Sequence, residues 1–180
     1  MTPETLLTIA NLTVPRKPDR APAIHPDPLA TPATAAGALL LPRVDASELG
    51  ALRELHATTV QLVDDILNGG RAAVAATRLT ELAKPSVATV RLDAGDDQTV
   101  RVGLEWGEPT ATATLARRVA LELGEIDVTR IKRCRRPACD LVFYDTTRSR
   151  TQRWHAESPC GNRERQRRHR AAAATAGPPL

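Results

Sequence analysis

Cys134 and Cys139 are separated by four residues that include Pro137, a turn former, and His155 and Cys160 by four that include Pro159. Fifteen residues lie between the two pairs. Two ligand pairs, each on a tight turn and joined by a short spacer, are how small zinc modules close a tetrahedron. Thiolate and imidazole match the borderline softness of zinc, which brings no redox chemistry of its own. A Cys3His set leaves no open position for water, so one Zn2+ held this way is structural rather than catalytic, and its binding energy is largely folding energy. Chance scatter fits poorly with four such residues falling within 27 positions of a chain that has three cysteines in all. His169 is a weaker candidate for the fourth ligand, lying nine residues past Cys160 in a predicted helix.

Charge divides the chain at the same place. The formal net charge of +4 is an average over 180 residues. Residues 130–170 hold 13 basic and 4 acidic residues, a balance of +9, and the remainder 12 and 17, a balance of −5. Three of the four aromatics, Phe143, Tyr144 and Trp154, also fall there, leaving Trp106 elsewhere. No run of 18 or more apolar residues suggests a membrane span. The N-terminal stretch lacks the basic region and long apolar run of a secretory signal. A soluble cytoplasmic protein is the expectation. No phosphate-cradling glycine loop and no Ser/His/Asp arrangement appears, so an enzyme is not expected.

The residues around the ligands are more specific than the spacing. Phe143-Tyr144-Asp145-Thr146-Thr147-Arg148, Arg153-Trp154 before the third ligand, and Cys160-Gly161-Asn162-Arg163 closely resemble the CGNR zinc-finger family. Where that family has cysteine directly after the tryptophan, this chain has His155, to which the ligand role is carried. The exchange makes the site one unit less negative and more sensitive to acid, because imidazole must be neutral to bind. The resemblance implies a helical N-terminal ABATE domain over 1–129 and a small treble-clef-like finger over 130–172. It further implies a stress-induced transcription regulator in a bacterial cytoplasm, nucleoid-associated when bound to DNA. Phe143 and Trp154 are expected to pack over the metal, Asp145 to cap a turn, Gly161 to supply tight geometry and Asn162 to cap the next helix.

The elements that must position the finger read as mainly helical, in an α+β chain with one hairpin. A short helix within 1–12 precedes a Pro-rich loop over 14–42 with a short helix near 33–41. Asp45 and Glu48 form a capping-box pattern ahead of an apolar stripe of Leu49, Leu52, Leu55, Val60, Val63 and Leu67 that ends at Gly69-Gly70. A second helix over 71–83 would turn Val74, Leu79 and Leu82 inward. Segments 86–92 and 99–105 alternate as strands of a hairpin, with Val100, Val102 and Leu104 on a buried face. A helix over 110–123 follows, and 173–180 reads as a flexible tail. His25 and His56 lack a second ligand or base at telling spacing.

After Asn162 the chain runs through Arg163, Arg165, Arg167, Arg168 and Arg170 with one acid, Glu164, and no apolar stripe. Such a helix is not mainly a core element. Arginine outnumbers lysine twelve to one over 130–170, and guanidinium donates paired hydrogen bonds to phosphate. Arg148, Arg150 and Arg153, with Arg133, Arg135 and Arg136, would extend the patch. DNA is the expected partner, through phosphates and guanine edges. The N-terminal part would then sense a small-molecule effector, form a homodimer or recruit a partner. The alternative is a protein- or RNA-interaction module with structural zinc and no sequence-specific DNA binding.

Overall fold

Five helices carry most of the large apolar residues, and their inward faces meet in one core. The computed structural model describes residues 2–12, 27–94, 99–106, 110–137 and 139–175. Helix α1 (Glu4–Ala10) buries Leu6, Ile9 and Ala10. Helix α2 (Pro32–Leu39) starts where the Thr31 hydroxyl accepts from the Thr34 N–H, with proline at its first position, where no backbone donor is lost. This is the short helix expected near 33–41 within the Pro-rich loop, whose residues 14–26 lie outside the described residues. Helices α3 (Leu49–Leu67), α4 (Ala73–Ala83) and α5 (Ala111–Glu125) complete the bundle.

The expected apolar stripes are rotated by about one residue in places. On α3, Leu52, Leu55 and Val63 are buried as expected, but Leu62, Thr58 and Thr59 join them while Val60 is half-buried. On α4, Ala75 and Leu79, four residues apart, share the inward face, and Val74, five residues before Leu79 and so turned well away from it, is 82% exposed. Glu48 joins two helix starts. Its Oε2 accepts from the Asp45 N–H (3.4 Å) and its Oε1 from the Ala111 N–H (2.6 Å). Glu122 on α5 similarly accepts from the Thr5 and Leu6 N–H groups (2.9 and 2.8 Å), filling the free donors of the first turn of α1.

Strands β1 (Ala88–Ala94) and β2 (Val100–Trp106) form the predicted antiparallel hairpin, pairing Val90 with Leu104 and Leu92 with Val102. Its expected buried face is not buried. Val90, Leu92, Val100, Val102 and Leu104 are 60–71% exposed. Alternation groups these side chains on one side, but among the described residues no element covers that side.

A second, shorter hairpin begins the finger. Strands β3 (Ile131–Arg133) and β4 (Val142–Tyr144) pair Ile131 with Tyr144 and Arg133 with Val142. Ile131 and Val142 lie in the same buried cluster as Leu6, Leu52 and Val119. Asn11 clamps this hairpin to α1: its Nδ2 donates to the Val142 carbonyl and its Oδ1 accepts from the Val142 N–H, both at 2.8 Å. The chain ends in α6 (Asn162–Thr175), which takes in residues 173–175 of the predicted tail; residues 176–180 lie outside the described residues.

Candidate metal centre

Two backbone turns bring the four predicted ligands together. After β3, the Cys134 N–H donates to the Leu141 carbonyl (2.9 Å) and the Cys139 N–H to the Arg136 carbonyl (2.9 Å), closing the first loop. The Arg135 N–H donates to the Arg153 carbonyl at 2.9 Å, which draws the His155 segment alongside. A helical turn, Glu157–Gly161, broken at Ser158, then delivers Cys160 to the head of α6.

The Sγ atoms of Cys134, Cys139 and Cys160 and a ring nitrogen of His155 all lie within 4.8 Å of one another. His155 Nδ1 is 3.4 Å from Cys139 Sγ and 3.6 Å from Cys160 Sγ. A tetrahedron with ordinary Zn–S and Zn–N lengths has a sulfur–nitrogen edge of about 3.6 Å. The donor set therefore fits zinc in both chemistry and spacing. His169 lies on α6, exposed and outside this group.

The thiols sit in surroundings that a dication would relieve. Burial pushes the Cys139 thiol up to about 12, with the neighbouring Cys134 and Cys160 adding to the rise. Burial likewise raises Cys160. Burial, and then the nearby Arg136 charge, lowers His155, which favours the neutral imidazole that a metal needs. With zinc bound, three thiolates and one imidazole would hold the metal, and its charge would compensate the sulfurs.

Apolar cover over the ligands comes from Leu141 and Trp154. The expectation for Trp154 holds; that for Phe143 does not. On a strand that alternates, Val142 and Tyr144 face the helical core, and Phe143, buried, stands opposite Lys132 on the other face.

Asp145 does cap a turn, and more. Its Oδ1 accepts from the Thr147 N–H (2.9 Å) and hydroxyl (2.5 Å), and its Oδ2 from the Gln152 N–H (3.0 Å) and Lys132 Nζ (2.5 Å). Burial alone would raise this carboxyl, but the hydrogen bonds from Lys132, Thr147 and Gln152 outweigh it and hold it well below the usual carboxylate range. Lys132 Nζ also donates to the Arg150 carbonyl (2.5 Å), at a residue whose φ of 55° is left-handed. The side chain that fixes the spacer is thus the single lysine among twelve arginines, a signal the sequence offered and composition alone did not decode.

At Cys160 the tight geometry expected of Gly161 is present, whereas the cap expected of Asn162 is not. A Cβ on Gly161 would lie 2.6 Å from the Glu157 carboxylate, so glycine makes room for that group, which pairs with Arg165. Asn162 is already helical (φ −59°, ψ −47°), and instead of capping α6 it accepts from the Arg165 guanidinium at 2.6 Å. The helical turn that carries Cys160 runs directly into α6 and leaves no open N-terminus there to cap.

Four clustered ligands, a Trp-covered pocket and the Cys-Gly-Asn-Arg turn decide the assignment. Residues 130–173 match the family model of the CGNR zinc finger. This segment is similar to a CGNR zinc finger, and its four ligands are arranged to hold one structural Zn2+. No curated protein matches the chain.

The finger's cations fall into two groups. Many are already occupied. Glu164 is buried, its side chain 5% exposed, and accepts from Arg167 and Arg168; these bonds, Arg167's first, bring its carboxyl down to about 2. Arg133 pairs with Asp64 of α3, and Arg150 with Asp127. Arg163 is exposed on the first turn of α6. Among the described residues, Arg135, Arg148, Arg153 and Arg170 have no side-chain partner. Arg135 and Arg153 line one cleft of about 390 Å³ with Lys132, Arg133, Arg150 and Leu67. His25 lies outside the described residues, and His56 is half-buried on α3 with its Nε2 unpartnered.

Proposed function

We propose that the chain is a DNA-binding regulator whose zinc-closed finger presents arginines to phosphate. The observation that carries this reading is the pair Arg135 and Arg153, held side by side by a backbone hydrogen bond and facing one cleft with no acid of their own. Two guanidinium groups lining one cleft without a paired acid favour an oxyanion, which offsets their like charge while accepting paired hydrogen bonds. Arg148 and Arg170, equally unpartnered, extend the basic surface. The arginines of α6 contribute less than their number suggests, because Glu164 holds two of them and Glu157 a third. The N-terminal helices, with their hairpin, are read as an ABATE domain that tunes the finger, and stress-linked transcription is the process this pairing fits.

Zinc-loaded protein is titrated against duplex DNA across a range of salt. Four phosphate contacts give a log–log slope of about −4. A flat response sinks the reading. Single-stranded RNA or an acidic protein outcompeting duplex DNA at fixed salt would favour an interaction module of another kind.

A further inference from the structure

The β1–β2 hairpin exposes a face that carries the aliphatic side chains of Val90, Leu92, Val100, Val102 and Leu104. Ala88, Val90, Leu92 and Ala94 on β1 share it with Val100, Val102 and Leu104 on β2, and the register position of Trp106 continues it opposite Ala88. The other face carries Thr89, Arg91 and Asp93 opposite Glu105, Gly103 and Arg101, and there Arg91 pairs with Asp93. The hairpin is therefore amphipathic in the way of a sheet with one face against a core, yet its five large aliphatics remain 60–71% exposed. A lone two-stranded hairpin is marginal in water and gains stability when its apolar face is packed. A contiguous apolar patch of this kind marks an interface.

We infer that this face is a homodimer interface, in which the hairpin of one copy packs face to face on the same hairpin of a second. The chemistry of the face requires an apolar occupant, since no charged side chain lies on it. The other exposed large aliphatics among the described residues, Leu40, Val74, Val87, Leu121 and Val128, lie apart on other segments or off this face, so the described residues offer no other apolar face to close on it. A second copy brings the identical face, and a two-fold axis makes one patch complementary to itself. Alternating valine and leucine on both strands interdigitate about 10 Å apart, as in a β-sandwich, with both charged faces outward in water.

Area sets the strength. Full burial of a valine or leucine removes roughly 60–120 Å² from water, so five of them at about two-thirds exposure, with two alanines, offer on the order of 400 Å² per copy. The pair then buries on the order of 800 Å², below the size of stable interfaces and within that of weak, transient ones. The dimer is reversible, with a dissociation constant of about 1–100 μM.

Sedimentation equilibrium on the full zinc-loaded chain from about 1 to 300 μM tests this. The expected mass rises with concentration from the 19.4 kDa of one chain to twice that value. Val102→Asp places a carboxylate in the interface and raises the midpoint at least tenfold. Val102→Thr keeps the shape and strand preference of the residue, guards against a failure of the hairpin to fold, and raises the midpoint by a smaller factor. Arg101→Thr, on the charged face, leaves it unchanged. A wild-type mass fixed at 19.4 kDa throughout, or a dimer whose midpoint neither Val102 variant moves, overturns the inference.

Discussion

Cys139 Sγ and His155 Nδ1 lie 3.4 Å apart, the separation of two corners of one zinc tetrahedron, although sixteen positions separate them in the chain. A histidine that merely packed beside the thiols could be removed with little effect on metal. His155→Ala and Cys160→Ala should each lower zinc affinity by more than about 100-fold, since even indirect supports of a ligand are worth 10–100-fold. Metal analysis of purified protein reads the result. One zinc per chain in the wild type and none in either variant is expected, and zinc retained in His155→Ala would remove this residue from the site.

Zinc uptake should expel protons. Burial holds the Cys139 thiol up at about 12 and raises Cys160, so both carry protons at neutral pH before metal binds. Zinc takes the thiolate forms, so at least about two protons leave per metal at pH 7. The lowered His155 is already neutral and releases none. Affinity therefore rises with pH through neutrality. Calorimetric titration in buffers of different ionisation heat gives the proton count; a count near zero contradicts the buried-thiol environment.

The ligand set was legible in the sequence because residue type and spacing carry metal chemistry directly. Strands β3 and β4 were not, since three residues are too few for an alternation to register. The β1–β2 hairpin shows a different limit. Alternation tells which side chains share a face, as Leu92 and Val102 do, and is silent on whether anything covers it. Glu164 reads in sequence as one acid diluted among arginines, but in the fold two of those arginines close over it and bury it. Such long-range or multi-partner arrangements, like Asn11 with Val142, leave no local trace.

The finger and the helices should unfold as one unit. Ile131 is 3% exposed within the cluster that also holds Leu6 and Leu52. Ile131→Ala should cost about 2–4 kcal/mol. Asn11→Ala leaves the Val142 N–H and C=O without their side-chain partners and should cost about 1–3 kcal/mol. Urea denaturation of the zinc-loaded chain, followed by both helical signal and tryptophan fluorescence, should show coincident transitions shifted together by either variant. Separate transitions, with the helical signal unmoved, would mean that the finger is only tethered.

Acid should weaken the head of α6 through Glu164. The folded carboxyl is depressed to about 2 by Arg167 and Arg168, against about 4.3 in an unfolded chain. A depressed carboxyl contributes stability that is full above the unfolded value and fades as pH falls through the folded one. Glu164→Gln lacks this contribution at every pH. The gap in Tm between wild type and variant should therefore be widest above pH ~5 and close as pH approaches ~2. Metal analysis at each pH confines the comparison to the range over which both proteins keep zinc, since metal loss would release the α6 head itself. A gap independent of pH would mean the two arginines do not stabilise the carboxylate.

Pairing, rather than position along the basic stretch, should decide which arginines matter for DNA. Arg135 and Arg153 are unpartnered in the cleft, whereas Arg167 donates to Glu164 at 2.9 and 2.6 Å. A phosphate that approaches Arg167 competes with a carboxylate already in place, but one that approaches Arg135 or Arg153 displaces only water and salt ions. Arg135→Gln and Arg153→Gln should each make the log–log salt slope shallower by about 0.9. Arg167→Gln should change it by less, because it also frees part of the charge of Glu164. Binding isotherms at four or five salt concentrations separate the cases. If Arg167→Gln flattened the slope as much as either cleft variant, the α6 surface rather than the cleft would be the phosphate seat.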